Sequence, residues 1–266
     1  MPARSSSRSY QPRRSEPRWL RWATVAVSLI AGAILWELAA RRTSPAVLSP
    51  FSTTVVRVLE MVRTGELSSG LFGSLALFIT GFGLAVATAL PLGLLLARSR
   101  ELRVALSDYI TLANATPLVA LIPFILSIAG LDFPAKVLVV FLFSFFPILF
   151  NTVEGARSIR PELIEVARSF RSGEWAIWRD IMVPGTLPYA MTGVRQAIGR
   201  ALVGMVAAEF FLSASGMGQL IMTSARDFDT AALFGTVLII SLLGATLTGL
   251  GRLLENRFTP WRTAGR

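Results

Sequence analysis

Apolar residues in this chain do not alternate; they gather into runs whose length is itself informative. A helix needs roughly twenty mostly apolar residues to cross a hydrocarbon layer of about 30 Å. Residues 22–40, 71–97, 109–131, 137–153 and 230–251 are candidates. The first is marred only by Glu37, the second carries no charge and is expected to bend at Pro91, and the third holds Pro117 and Pro123. A sixth candidate, 189–212, is less apolar because it contains Arg195, Arg200 and Glu209. Ionisable residues at membrane depth face a bundle interior, a partner or a wet path. On one face of that segment small residues recur (Gly193, Ala197, Ala201, Gly204, Ala208), so a close neighbour is expected there, either a helix of the same subunit or a subunit interface or pore lining. The pattern predicts an all-α membrane protein of about six transmembrane helices.

Composition agrees. Hydrophobic residues make up 53% of the chain and charged ones 16%, well below the roughly 25% of a soluble domain. The net charge of +10 would suit nucleic acid or an anionic membrane face. Here the basic residues lie in short segments between apolar runs rather than on one face of a soluble fold, which argues against nucleic acid. Cysteine and histidine are absent, so thiol chemistry and the commonest metal ligands are unavailable, and neither cofactor nor metal is expected. An intramembrane enzyme fares no better. Ser127, Ser144 and Asn151 have no histidine, and no lysine within a span, to serve as a base.

Arginine placement sets orientation. With the N-terminus inside, eighteen of the 26 basic residues fall on the cytoplasmic side and six outside, while Arg195 and Arg200 belong to the fifth span. By the positive-inside rule both termini are cytoplasmic. The first 21 residues hold six arginines and one acid among Ser and Pro and cannot build a core. They are read as a disordered cytoplasmic tail, with a transit peptide or twin-arginine signal as the alternative.

One inner segment is out of character. EVARSFRSGEWAIWRDIMVPGTLP (165–188) is dense in charge although uncharged runs flank it. From 155 to 170 the positions Ile159, Leu163, Val166 and Phe170 fall at helical spacing, which predicts an amphipathic helix. Ser172 and Gly173 break it. A second short helix is expected with Ser172 as N-cap, Glu174 in its first turn, an apolar face of Trp175, Trp178, Ile181 and Met182, and Pro184 as its stop. Such a pair suits either the lipid surface or a docking partner.

Glu165-Val166-Ala167, then Arg171-Ser172-Gly173, then Ile181-Met182-Val183-Pro184 resembles the EAA motif of the membrane-spanning subunits of bacterial ABC importers. Val166 stands where the family has alanine, and Arg171 where it has glycine, with Gly173 two residues on as the expected source of flexibility. LPYAMTGVRQAIGRALVGMVAAEF (187–210), SGMGQLI (215–221), ATPLVALIPFIL (115–126), FFPILFNTVEGARSI (145–159) and LLENRFTPW (253–261) are similar to the subfamily that imports sulfonates, taurine, nitrate and thiamine-precursor pyrimidines. The likeness covers residues 45–262, within a permease domain of 22–266 whose coupling loop is 154–188.

The resemblance implies a type I importer permease in the bacterial inner membrane, not an enzyme, with ATP hydrolysed on two copies of a separate ABC ATPase chain. No G-x-x-x-x-G-K-[ST] loop occurs in this chain. It also implies a second permease copy as homodimer partner, a periplasmic or lipid-anchored solute-binding protein, and surrounding membrane lipid. Glu165, Ala167, Arg168, Ser169, Gly173, Trp175, Trp178 and Pro184 would couple to the ATPase, with Trp175, Trp178 and Ile181 as apolar anchor. Arg195, Arg200, Gly204 and Glu209 are candidates for the pore or interface, and Gly216 and Gly218 for an outer gate. The competing reading is a non-transporting membrane anchor.

Overall fold

Proline and glycine, more than hydropathy, decide where the helices of this chain stop. The computed structural model describes residues 18–212 and 216–258, which form helices and turns with no strand among them. Helix α1 (Arg18–Arg41) opens within the expected tail, the rest of which lies outside the described residues, as do residues 213–215 and everything beyond 258. α2 (Phe51–Arg63) and α3 (Glu66–Arg98) follow, the latter continuous through Pro91. Next come α4 (Arg100–Ala115), α5 (Leu118–Ala129) and α6 (Phe133–Arg157). Beyond α6 lie α7 (Pro161–Ser169), α8 (Glu174–Ile177), a π turn over Trp178–Met182, α9 (Val183–Leu212), α10 (Met217–Arg226) and α11 (Thr230–Phe258).

α1, α3, α6 and α11 are each long and apolar enough to cross a membrane. The third expected span is not one rod. Residues 109–131 divide between α4 and α5, which meet at 94°. Pro117 has no N–H to donate and forces the residue before it out of the helical region, and Thr116 accordingly sits at ψ 132. α9 supplies the sixth candidate and begins six residues earlier than expected.

α6 is the centre of the bundle, with α3 on one side and α9 on the other. The approach is close where glycine faces it. A Cβ on Gly81 of α3 would lie 2.6 Å from Val140, and one on Gly204 of α9 would lie 2.8 Å from the Phe143 ring. The small-residue face of α9 is thereby committed to its own subunit: Ala197, Ala201 and Ala208 are fully buried, and Gly193 packs on Asn151. Gly204 thus lies against α6, not on an interface with another chain. Burying such a face without voids is what lets helices with few polar ties hold a fixed spacing.

α1 sits at the periphery and is tied by its C-terminal end. The Trp36 indole donates to Ser49 O at 3.0 Å, and its ring meets Phe51 and Phe234 edge-on. Glu37, the one acid in the first span, accepts from Ser52 N at 3.0 Å and so caps α2 from outside. On the same side Arg57 holds Asp229 at 2.9 Å, while Asp229 accepts from Ala232 N to cap α11. Asp229 raises the Arg57 pKa through that hydrogen bond.

Candidate functional site

The polar interruption folds as two helices joined by a tight turn that includes Ser172 and Gly173, the residues expected to break it. α6 runs to Arg157, and α7 starts afresh with Pro161 in its first turn, where a missing N–H costs nothing. α7 ends in a Schellman turn: Arg171 N donates to Arg168 O at 2.8 Å and Ser172 N to Ala167 O at 3.1 Å. Arg171 has φ 58, the left-handed conformation usually left to glycine. The arginine at the motif's glycine position keeps a glycine-like backbone. Gly173, at φ −69, is ordinary, so the flexibility expected of it is not used. Gly173 also takes the N-cap place assigned to Ser172.

Pro184 does not end the second helix. The chain continues as helix from Glu174 to Leu212 because the π turn shifts the hydrogen bonding by one residue, Val183 N reaching Trp178 O just before the residue that cannot donate.

Which faces point inward is settled by the ends of distant helices. Ala97 of α3 and Ala156 of α6 form a buried cluster with Ile177 and Met182, against which Ile159, Ile164, Ala167, Trp178 and Ile181 pack. The Trp178 indole donates to Leu94 O at 3.2 Å. Trp178 and Ile181 therefore clamp the loop to its own spans instead of being held out as an anchor. Trp175 stays 56% exposed, stacked on Trp178 at 4.8 Å with the Arg98 guanidinium 5.9 Å over its ring.

The apolar face left outward is on α7. Leu163, Val166 and Phe170 are exposed, Phe170 by 82%. Glu165 and Ser169 are exposed beside them, and Arg168 pairs with Glu174 at 3.0 Å across the turn. Arg179 holds Asp180 at 2.8 Å and keeps its carboxyl below the usual range. Behind this face a cleft of about 770 Å³ separates the helix pair from the α3–α4 joint and is bordered by Arg98, Glu101, Glu165 and Arg168. An apolar stripe with a charged rim on a rigid support is the usual division of a specific interface.

The three ionisable residues of α9 have three different situations. Arg195 pairs with Glu255 of α11 at 3.2 Å. Arg200 is exposed and donates to Asn114 O and Oδ1 at 3.3 and 2.9 Å. Glu209 is only 2% exposed. It accepts from Ser74 Oγ at 2.6 Å and Gly218 N at 2.7 Å, while Ser74 Oγ accepts from Met217 N at 2.8 Å. Glu209 thus lies inside the subunit, where it ties α3, α9 and the start of α10 together, and does not line an outer face. The glycines assigned to an outer gate are the other half of this knot. A Cβ on Gly216, at φ 116, would lie 2.5 Å from Glu209 Oε1, and one on Gly218 would lie 2.5 Å from Glu209 Cβ. The segment after α9 is a ten-residue helix turned back onto α3, α9 and α11, more than a plain hairpin. Ser74 was not foreseeable as the partner, being one of three hydroxyls in an apolar run and 135 residues away.

Residues 89–260 match the family model described as "Binding-protein-dependent transport system inner membrane component". The chain is 33% identical over 240 residues to the riboflavin transport system permease protein RibX of Chloroflexus aurantiacus, covering 90% of each. It is 28% identical over 256 residues to the putative aliphatic sulfonates transport permease protein SsuC of Bacillus subtilis, covering 96% of this chain and 92% of that one. Its fold is similar to that in an inward-facing structure of the MetNI methionine ABC transporter, with a TM-score of 0.59 at 20% identity, covering 73% of this chain and 96% of the other.

Proposed function

The chain belongs to the binding-protein-dependent transport system inner membrane components, and from that premise we propose that α7, with its exposed Leu163, Val166 and Phe170, is the seat of the ATPase. The chain is the permease component of an ABC importer; ATP is hydrolysed on a separate chain. Movement of the docked ATPase would reach the spans through the packing of Ile177 and Met182 on Ala97 and Ala156. Glu165, Arg168, Ser169 and Glu174 form the polar rim of that seat, with Trp175 at its edge.

In this reading both termini are cytoplasmic. Two copies of the chain enclose the path, two ATPase copies dock beneath them, and a solute-binding protein meets the outer side near α2 and α10. Lipid covers the exposed apolar flank of α1 around Leu29 and Leu35. The solute is a small organic or inorganic anion or a pyrimidine-type heterocycle.

The observation that carries the docking assignment is an 82% exposed phenylalanine at the end of a helix whose other face is packed. Purification of the tagged chain from its own membranes in mild detergent, followed by an ATPase assay, tests it. Recovery of an ATPase by the wild-type chain, lost on Phe170→Asp and on Glu165→Lys, is expected. Full ATPase recovery by both variants would sink the assignment.

A further inference from the structure

Arg200 differs from the other two ionisable residues of α9. Arg195 is balanced by Glu255, and Glu209 is enclosed by hydrogen bonds. Arg200 bonds only neutral oxygens of Asn114 and makes no ion pair among the described residues. It lies seventeen residues into α9 (Val183–Leu212) and is exposed in the single subunit. A guanidinium with no carboxylate partner can take an anion beside it.

The structure provides room for one. Arg200 borders a cavity of about 360 Å³ lined also by Asn114, Thr116, Leu118, Phe143 and Val203. That volume is at the lower end of ligand pockets, which run from about 300 to 1,000 Å³. No acidic residue lines it. The cavity lies where the third span breaks, so α5 begins at its wall. The N-terminus of α5 carries positive partial charge, although the Ala120 amide is already bonded to Pro117 O at 2.9 Å. Phe143, Leu118 and Val203 supply an apolar wall.

We propose that this cavity is a transit subsite for the oxyanion head of a small solute such as a sulfonate. The Arg200 guanidinium supplies a planar fork that matches two oxygens of the head, and Asn114, now its partner, exchanges places with the anion. The apolar wall takes the short carbon body. Because both groups sit on α9 and at the α4–α5 break, movement of α9 relative to α4 alters the site. A site on a path must hold its ion weakly enough to release it, and the neutral Asn114 oxygens serve as the competing ligand that lets the anion leave.

The subsite rests on the permease reading, so its test is made on the purified transporter in lipid nanodiscs after ATPase recovery has been scored separately. Methanesulfonate is the probe and dimethyl sulfone its uncharged near-isostere, both followed by saturation-transfer NMR of their methyl protons. Saturable binding of methanesulfonate, with none of dimethyl sulfone, is expected from the wild-type chain. R200Q should weaken it by about tenfold or more, with R200K in between because a point charge replaces the fork. Equal binding of the two probes, or wild-type affinity in R200Q, overturns the proposal, and with ATPase recovery intact it leaves the permease reading standing. The comparison of probes uses the wild-type chain and needs no variant to fold.

Discussion

Replacing Gly218 by alanine should loosen the start of α10 and little else. The added Cβ would sit 2.5 Å from Glu209 Cβ, 2.9 Å from Val206 O and 3.1 Å from Glu209 Oε2. Carbon atoms in easy contact stand about 3.5–4.0 Å apart, so about 1 Å of relief must be found. Two of the three obstructing atoms are fixed to the α9 backbone, which leaves the turn itself to move. Overpacking of this kind costs about 1–3 kcal/mol, and stretching the Gly218 N–H bond to Glu209 adds about 1 kcal/mol. A total of about 2–4 kcal/mol corresponds to about thirtyfold or more in the opening equilibrium of this segment. Hydrogen exchange of peptides covering 216–226, with peptides of α6 as internal reference, reads it directly. Gly83 of α3 is the control, since nothing lies within 4 Å of its would-be Cβ, and there the same change should stabilise by about 0.5–1 kcal/mol. Exchange in Gly218→Ala within about threefold of wild type, or equal harm from Gly83→Ala, would refute the reasoning.

Two further outcomes follow from local geometry. Arg171 holds a left-handed backbone at a cost of about 1–2 kcal/mol, so Arg171→Gly should be no less stable than wild type, even after the glycine's larger unfolded-state entropy of about 0.4–1 kcal/mol. Arg171→Val should unfold earlier on heating, and a valine variant more stable than the glycine one would contradict the Schellman assignment. Thr186 is fully buried, and its hydroxyl has no hydrogen-bond partner among the described residues. Thr186→Val should therefore raise the thermal midpoint, by about 1 kcal/mol in stability; a fall of similar size would mean that the hydroxyl is satisfied after all.

The apolar runs made α1, α3, α6 and α11 legible, and the charge-dense interval between α6 and α9 was legible as a pair of helices. What could not be read was choice among equals. Both sides of α7 carry apolar residues among the charged ones, and periodicity has no means to say that Ile164 packs inward while Val166 and Phe170 stay out. The alanines that decide it, Ala97 and Ala156, belong to other helices. The break in the third span was not placed, because Pro117 was weighed as a residue within an apolar run although its effect on Thr116 is local and strong. Glu209 was assigned a role from its charge alone. Its partners Ser74 and Gly218 are neutral and far apart in the chain, so only the folded packing joins them. Arg171 hid a turn whose usual marker is glycine.

The unbroken helical run from Glu174 to Leu212 has a mechanical consequence. At about 1.5 Å per residue it is about 57 Å long, and it carries the Trp175–Trp178 stack at one end, Arg200 about two-thirds of the way along and Glu209 close to the other end. A turn of such a shaft about its own axis cannot stop halfway. Rotation applied at the tryptophans would sweep the guanidinium around the cavity and pull on the carboxyl beneath α10 in the same stroke. The two ends of the helix would then be kept in phase by torsional stiffness.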